Sequence, residues 1–128
     1  MSSFQASVTA LFHFEAAHHM PNFPEGHPNR RVHGHSYGVE VTVKGLVKPE
    51  SGCVIDHGDL VQIVRPSIDM LDHGYLNDIP SLELPTSECI ARWMWKRLKP
   101  SLPELSQITL RRDSCGISVS YFGEGADL

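Results

Sequence analysis

The stretch GHPNRRVHGHSYGVEVTV, Gly26 to Val43, changes character at its middle. Its first half carries glycine, proline and two arginines and has no period, so it is expected to be loop. From His33 onward the chain alternates. Tyr37, Val39, Val41 and Val43 share one parity, and Ser36, Glu40, Thr42 and Lys44 share the other. A period of two predicts a half-buried strand over about residues 33 to 46, ended by a turn at Pro49, Ser51 and Gly52. His33 and His35 have the parity of the apolar row, so both imidazoles leave the core-facing side at the strand's start.

Two inward imidazoles at a strand end can hold one metal ion if a third ligand arrives from elsewhere. Upstream, Val8, Ala10, Phe12 and Phe14 alternate with Thr9, Leu11 and His13, which predicts a first strand over about residues 5 to 14. An antiparallel neighbour brings the end of that strand to the start of the next, and His18 and His19 lie just beyond it. Either supplies the third ligand. Three neutral imidazoles with an open position suit a catalytic zinc, whereas a closed structural site usually carries cysteine.

Downstream, Asp56 is placed to cap a helix bearing Leu60, Ile63, Val64 and Ile68, with a kink or break expected at Pro66. LDHGYLNDIPSLELP has the turn formers of a loop. Within it, Asp72 beside His73 offers an imidazole oriented by a carboxylate, a proton-transfer pair for neutral pH. Thr86 or Ser87 then starts a second helix, with Glu88 in its first turn and Ile90, Trp93, Met94 and Leu98 on its buried stripe. Ile108 and Leu110, then Ile117, Val119 and Tyr121, alternate about a turn near Ser114 to Gly116 and predict a hairpin. The order is ββααββ: one α+β domain over residues 1–128, a four-stranded antiparallel sheet with two helices on one face. Such a sheet has two open edges, and pairing them between subunits predicts an oligomer.

Composition narrows the function classes. Eleven basic against fifteen acidic residues leave a net charge of −4, and the basic ones are scattered, which argues against wrapping nucleic acid by charge. No apolar run reaches membrane-spanning length, and MSSFQASVTALF lacks the basic region of a secretory signal, so no membrane partner and a cytoplasmic location are expected. The three cysteines are widely spaced and fit neither a disulfide framework nor a zinc knuckle. GADL at the end is expected to be a short tail.

Five segments together resemble one family: FEAAHH at Phe14 to His19, HGHSYGVEV at His33 to Val41, GCVIDHGDL at Gly52 to Leu60, LDHGYLND at Leu71 to Asp78 and PTSECIARWMW at Pro85 to Trp95. The family is that of the 6-pyruvoyltetrahydropterin and 6-carboxytetrahydropterin synthases, with the bacterial 6-carboxy branch of the queuosine pathway most similar. The resemblance implies the tunnelling fold, in which three subunits close a barrel and two trimers stack into a homohexamer with sites between subunits. It implies a catalytic Zn2+ on His18, His33 and His35, choosing His18 over His19. It also implies 7,8-dihydroneopterin triphosphate as substrate, with triphosphate elimination, side-chain rearrangement and loss of acetaldehyde. His73 and Asp72 match the proton relay, Asp113 falls where a glutamate anchors the pterin, and Thr86, Ser87 and Glu88 match the pterin pocket. The family's catalytic cysteine falls at Asn29, which has no titratable proton near neutral pH. His27, His73 or a zinc-bound hydroxide is then the substitute base, or the protein is a paralogue for a related pterin or a pterin binder.

Overall fold

The computed structural model describes residues 3–125. Seven elements follow one another: β1 (Gln5–His18), β2 (His33–Leu46), α1 (His57–Leu71), β3 (Gly74–Tyr75), α2 (Ser87–Leu98), β4 (Leu105–Arg112) and β5 (Ile117–Tyr121). The expected tail falls, apart from Gly125, outside the described residues.

β1 and β2 pair antiparallel along their whole length, from Gln5 opposite Leu46 to His18 opposite His33. Alternation decides which face is buried: Phe12, Phe14, Ala16 and His18 of β1, and Tyr37, Val39, Val41 and Val43 of β2, turn to the core. β4 adds to β2 with Leu110 opposite Val39 and Ile108 opposite Val41, and β5 adds to β4. Leu60, Val64, Ile68 and Leu71 of α1 and Ile90, Met94 and Leu98 of α2 close over that face and join the same apolar cluster.

The expected four-stranded antiparallel sheet is corrected by β3. Gly74 and Tyr75 pair parallel with Ala16 and Ala17 of β1, giving a mixed five-stranded sheet in the order β3-β1-β2-β4-β5. The element order is therefore ββαβαββ rather than ββααββ. This sheet is open, with β3 and β5 at its edges, and is not curled into the barrel expected from association. A two-residue strand shows no period, so it was read as loop; what makes it is the α1 terminus delivering the chain to the β1 edge, where His73 N–H donates to Glu15 O at 2.6 Å.

Two further boundaries differ. β1 runs to His18 rather than ending near residue 14, because Ala16 and His18 continue the buried parity without looking apolar as a pair. α1 runs unbroken through Pro66, which faces solvent, so the carbonyl that loses its partner can turn to water. The caps form as expected: Asp56 accepts from Asp59 N–H at 3.0 Å, and Thr86 accepts from Cys89 N–H at 3.1 Å. Gly116, at φ 69°, supplies the left-handed residue that the β4–β5 turn requires.

Candidate metal centre

His18 is the last residue of β1 and His33 the first of β2, directly opposite in the register; His35 lies opposite Ala16, whose small side chain leaves room. Between the two β2 histidines, Gly34 lets the strands close up, since a Cβ there would lie 3.2 Å from the Ala16 carbonyl oxygen. One ring nitrogen from each of His18, His33 and His35 falls within 4.8 Å of the others. His19 turns away: its ring stacks on Tyr75 and hydrogen-bonds the tyrosine hydroxyl, and its N–H donates to Asn77 Oδ1 at 3.0 Å.

The hydrogen bonds behind the rings fix their tautomers. His18 Nδ1 donates to the Pro85 carbonyl at 2.9 Å, and His33 Nδ1 donates to the Arg31 carbonyl at 2.7 Å. A carbonyl only accepts, so both Nδ1 atoms carry the proton and both Nε2 atoms present lone pairs. Those two Nε2 atoms stand 3.0 Å apart, where two acceptors repel unless an electrophile joins them. Two nitrogens on one tetrahedral zinc are about 3.3 Å apart, so the pair fits that ion closely. Arg112 Nη1 donates to His35 Nε2 at 3.0 Å, so that nitrogen too is unprotonated and carries a lone pair, here directed at the guanidinium. Imidazole ligands held from behind by backbone carbonyls are the usual support of a metal site.

Their surroundings disfavour the charged forms of His18 and His35. Burial is the largest cause lowering the His18 pKa, opposed by its bond to Pro85 and helped by neighbouring His33 and Arg112. His35 is lowered to about 4, first by burial and then by the charge of Arg112. Neutral imidazole is the form that binds metal. The unfolded chain takes up a proton at His35 below its ordinary 6.5, and the folded chain refuses it down to about 4. Stability of the chelated protein is therefore expected to fall as pH drops through that window. A His35→Gln variant should show a smaller fall in Tm over the same range; an identical fall would place the pH sensitivity elsewhere.

Beneath the cluster Tyr37 is buried, its ring stacked on Phe14 with centroids 4.7 Å apart and set edgewise to His18 and His35. Burial pushes its hydroxyl up to about 12. On the open side lies a cavity of about 270 Å³, lined by His18, His33, Asn29, Glu88 and Arg112 among others. Thr86 and Ser87 reach it from the start of α2.

The other residues singled out in the sequence are placed unevenly. Asn29 lines the cavity. His27 caps the short turn Pro28–Arg30, its Nδ1 accepting from Asn29 N–H at 3.1 Å while its ring packs on Phe23. Asp72 and His73 do meet, Oδ2 to Nδ1 at 3.1 Å. The Asp72 carboxyl is held below its ordinary range by the Glu15 N–H and by His73. His73, at φ 57°, is strained into the left-handed region and lies 82% exposed. It lines a shallow depression together with His35, Glu15, Ser36 and Gly74, not the cavity of Asn29 and Glu88.

Asp113 points outward, 72% exposed and paired with Arg111 Nε at 3.1 Å. The residue at the end of β4 that enters the cavity is Arg112, not Asp113. Its signal was present, since residue 112 continues the parity of Ile108 and Leu110 onto the core-facing side.

Comparison with known proteins places this geometry. The family model for 6-pyruvoyl tetrahydropterin synthase matches residues 7–124. A 6-carboxy-5,6,7,8-tetrahydropterin synthase of Synechocystis is 38% identical over 117 residues, covering 87% of this chain and 88% of the relative. The human 6-pyruvoyl tetrahydrobiopterin synthase is 32% identical over 113 residues, covering 77% and 78%. The solved structure of the Caenorhabditis elegans 6-pyruvoyl tetrahydropterin synthase superposes with a TM-score of 0.83 at 27% identity, covering 94% of this chain and 96% of that one.

Proposed function

Since the chain belongs to the 6-pyruvoyl tetrahydropterin synthase family, we propose that it is a zinc-dependent lyase of the 6-carboxy-5,6,7,8-tetrahydropterin synthase type. In this reading the substrate is 7,8-dihydroneopterin triphosphate, and the product feeds queuosine and other 7-deazaguanines in the cytoplasm. The observation that carries it is the cluster of His18, His33 and His35, one ring nitrogen of each within 4.8 Å of the others and two rings fixed by backbone carbonyls, beside a cavity with one carboxylate of α2. It is supported by the similarity to the Synechocystis relative over most of both chains.

His18, His33 and His35 would hold the zinc, which when bound supplies Lewis acidity to a substrate hydroxyl and to the negative charge that develops on it. Glu88, with Thr86 and Ser87 at the start of α2, accepts the N–H groups of the pterin ring and orients it. Asp72 holds His73 by Nδ1 and leaves Nε2 to move a proton. His73 does not line its own chain's cavity, so in this reading it serves a site completed by a neighbouring subunit of a homohexamer.

Asn29 stands at the position that the resemblance gives to the catalytic thiol, and its amide neither gives nor takes a proton near neutral pH. His27 is the nearest imidazole in sequence, but its Nδ1 is used by the Asn29 N–H. This favours a second reading, a paralogue that carries a related pterin to a different end. Incubation of zinc-loaded protein with 7,8-dihydroneopterin triphosphate, followed by mass spectrometry, tests both. A 6-carboxytetrahydropterin product establishes the first, triphosphate release with another pterin establishes the second, and an unconsumed substrate refutes both.

A further inference from the structure

Arg112 is a charged group in the cavity whose needs the rest of the described residues do not meet. Its neighbour Arg111 is bracketed by Glu40 at 2.7 Å and Asp113 at 3.1 Å, as a half-buried guanidinium requires. Among the described residues no carboxylate pairs with Arg112, and its Nε is buried without a partner. Guanidinium has five N–H donors and no acceptor, and it stays charged in proteins. Arg112 is partly buried, and an Nε shut off from solvent without an acceptor is costly, which points to an anion supplied from outside.

Its bond to His35 sharpens this. Arg112 Nη1 donates to His35 Nε2, and a neutral imidazole has only one such lone pair. That lone pair is the one a metal would take, so metal binding and this hydrogen bond exclude each other. A metal on His35 deprives Arg112 of its acceptor, leaving Nη1 and Nε as donors beside the three-histidine cluster. Guanidinium N–H groups form strong charge-assisted hydrogen bonds to the oxygens of a carboxylate or a phosphate. Glu88 lines the same cavity and offers the opposite polarity.

We propose that Arg112 is a specificity residue, receiving a carboxylate or phosphate oxygen of the ligand next to the metal ligands, so that the cavity selects anionic ligands over neutral ones. For the heterocycle that carries the anion, the inference rests on the pterin reading; for the anion itself it does not. A ligand with an N–H-rich edge for Glu88 and an anionic substituent for Arg112 satisfies both ends of the cavity.

Calorimetry on the zinc-loaded protein tests this with pterin-6-carboxylate and its neutral counterpart 6-hydroxymethylpterin. Wild type should prefer the carboxylate by about tenfold or more, the size of a charge-assisted hydrogen bond. Arg112→Gln should abolish the preference while binding the neutral pterin as before, and Arg112→Lys should restore part of it. A preference that persists in Arg112→Gln overturns the proposal, as does equal weakening of both ligands. If neither pterin binds, the pterin reading fails by itself, and inorganic phosphate becomes the probe. Phosphate binding that weakens about tenfold in Arg112→Gln supports the anion site; binding that is absent, or unchanged by the substitution, refutes it. Metal content and Tm of each variant are measured alongside, and Arg112→Lys carries the test if Arg112→Gln does not fold.

Discussion

His33→Ala should leave a folded protein that no longer holds its metal. The ring is the first residue of β2, contributes little to the apolar core, and directs Nε2 at the Nε2 of His18. Losing it reduces three converging imidazoles to two. Changes in the hydrogen-bonded support of a ligand already cost about 10- to 100-fold in metal affinity, so loss of the ligand itself should exceed about 100-fold. Zinc competition against a chromophoric chelator measures this, and urea unfolding of the chelated protein serves as the control. Unaltered affinity would show that the three-histidine cluster is not the metal centre. Turnover of the proposed pterin substrate should fall in step with metal content.

Phe14→Ala should be the most damaging single core change near the site. The ring is 2% exposed and stacked on Tyr37, itself 1% exposed. Truncating a buried phenylalanine costs about 3–5 kcal/mol, a large part of the roughly 5–15 kcal/mol that holds a domain folded. The effect should reach the metal as well. Tyr37 lies edgewise to both His18 and His35, and a void beneath it loosens the surface on which those rings rest. Urea titration should give the stability loss, and zinc affinity of the fraction that remains folded should also drop. Full stability in Phe14→Ala would contradict the packing described.

What the sequence disclosed depended on how many residues expressed a feature. β2 runs over His33–Leu46, as its alternation predicted, because seven pairs of alternating positions define a period. Antiparallel pairing brings His18 to His33 but leaves His19 equally eligible on spacing alone; the family resemblance chooses His18, and in the structure Pro85 takes the His18 ring and Tyr75 that of His19. β3 was invisible because two residues have no period, and its pairing depends on where α1 delivers the chain. Asp113 and Arg112 were separated by one residue of strand parity: β4 ends at Arg112, the next residue begins a short turn, and the carboxylate is carried outside. His73 lies exposed in a depression apart from Asn29, a separation that no residue pattern in the sequence expresses.

The bond from His18 to the Pro85 carbonyl joins two parts of the site that would otherwise be independent. Pro85 immediately precedes Thr86, the cap of α2, and Thr86, Ser87 and Glu88 face the cavity. One end of the joint is a candidate metal ligand and the other is the wall of the cavity. A ligand whose grip on Glu88 shifts the start of α2 also shifts the orientation of His18. By linkage the dependence runs both ways and by the same factor, so occupancy of the metal tunes affinity at the wall as much as the wall tunes the metal.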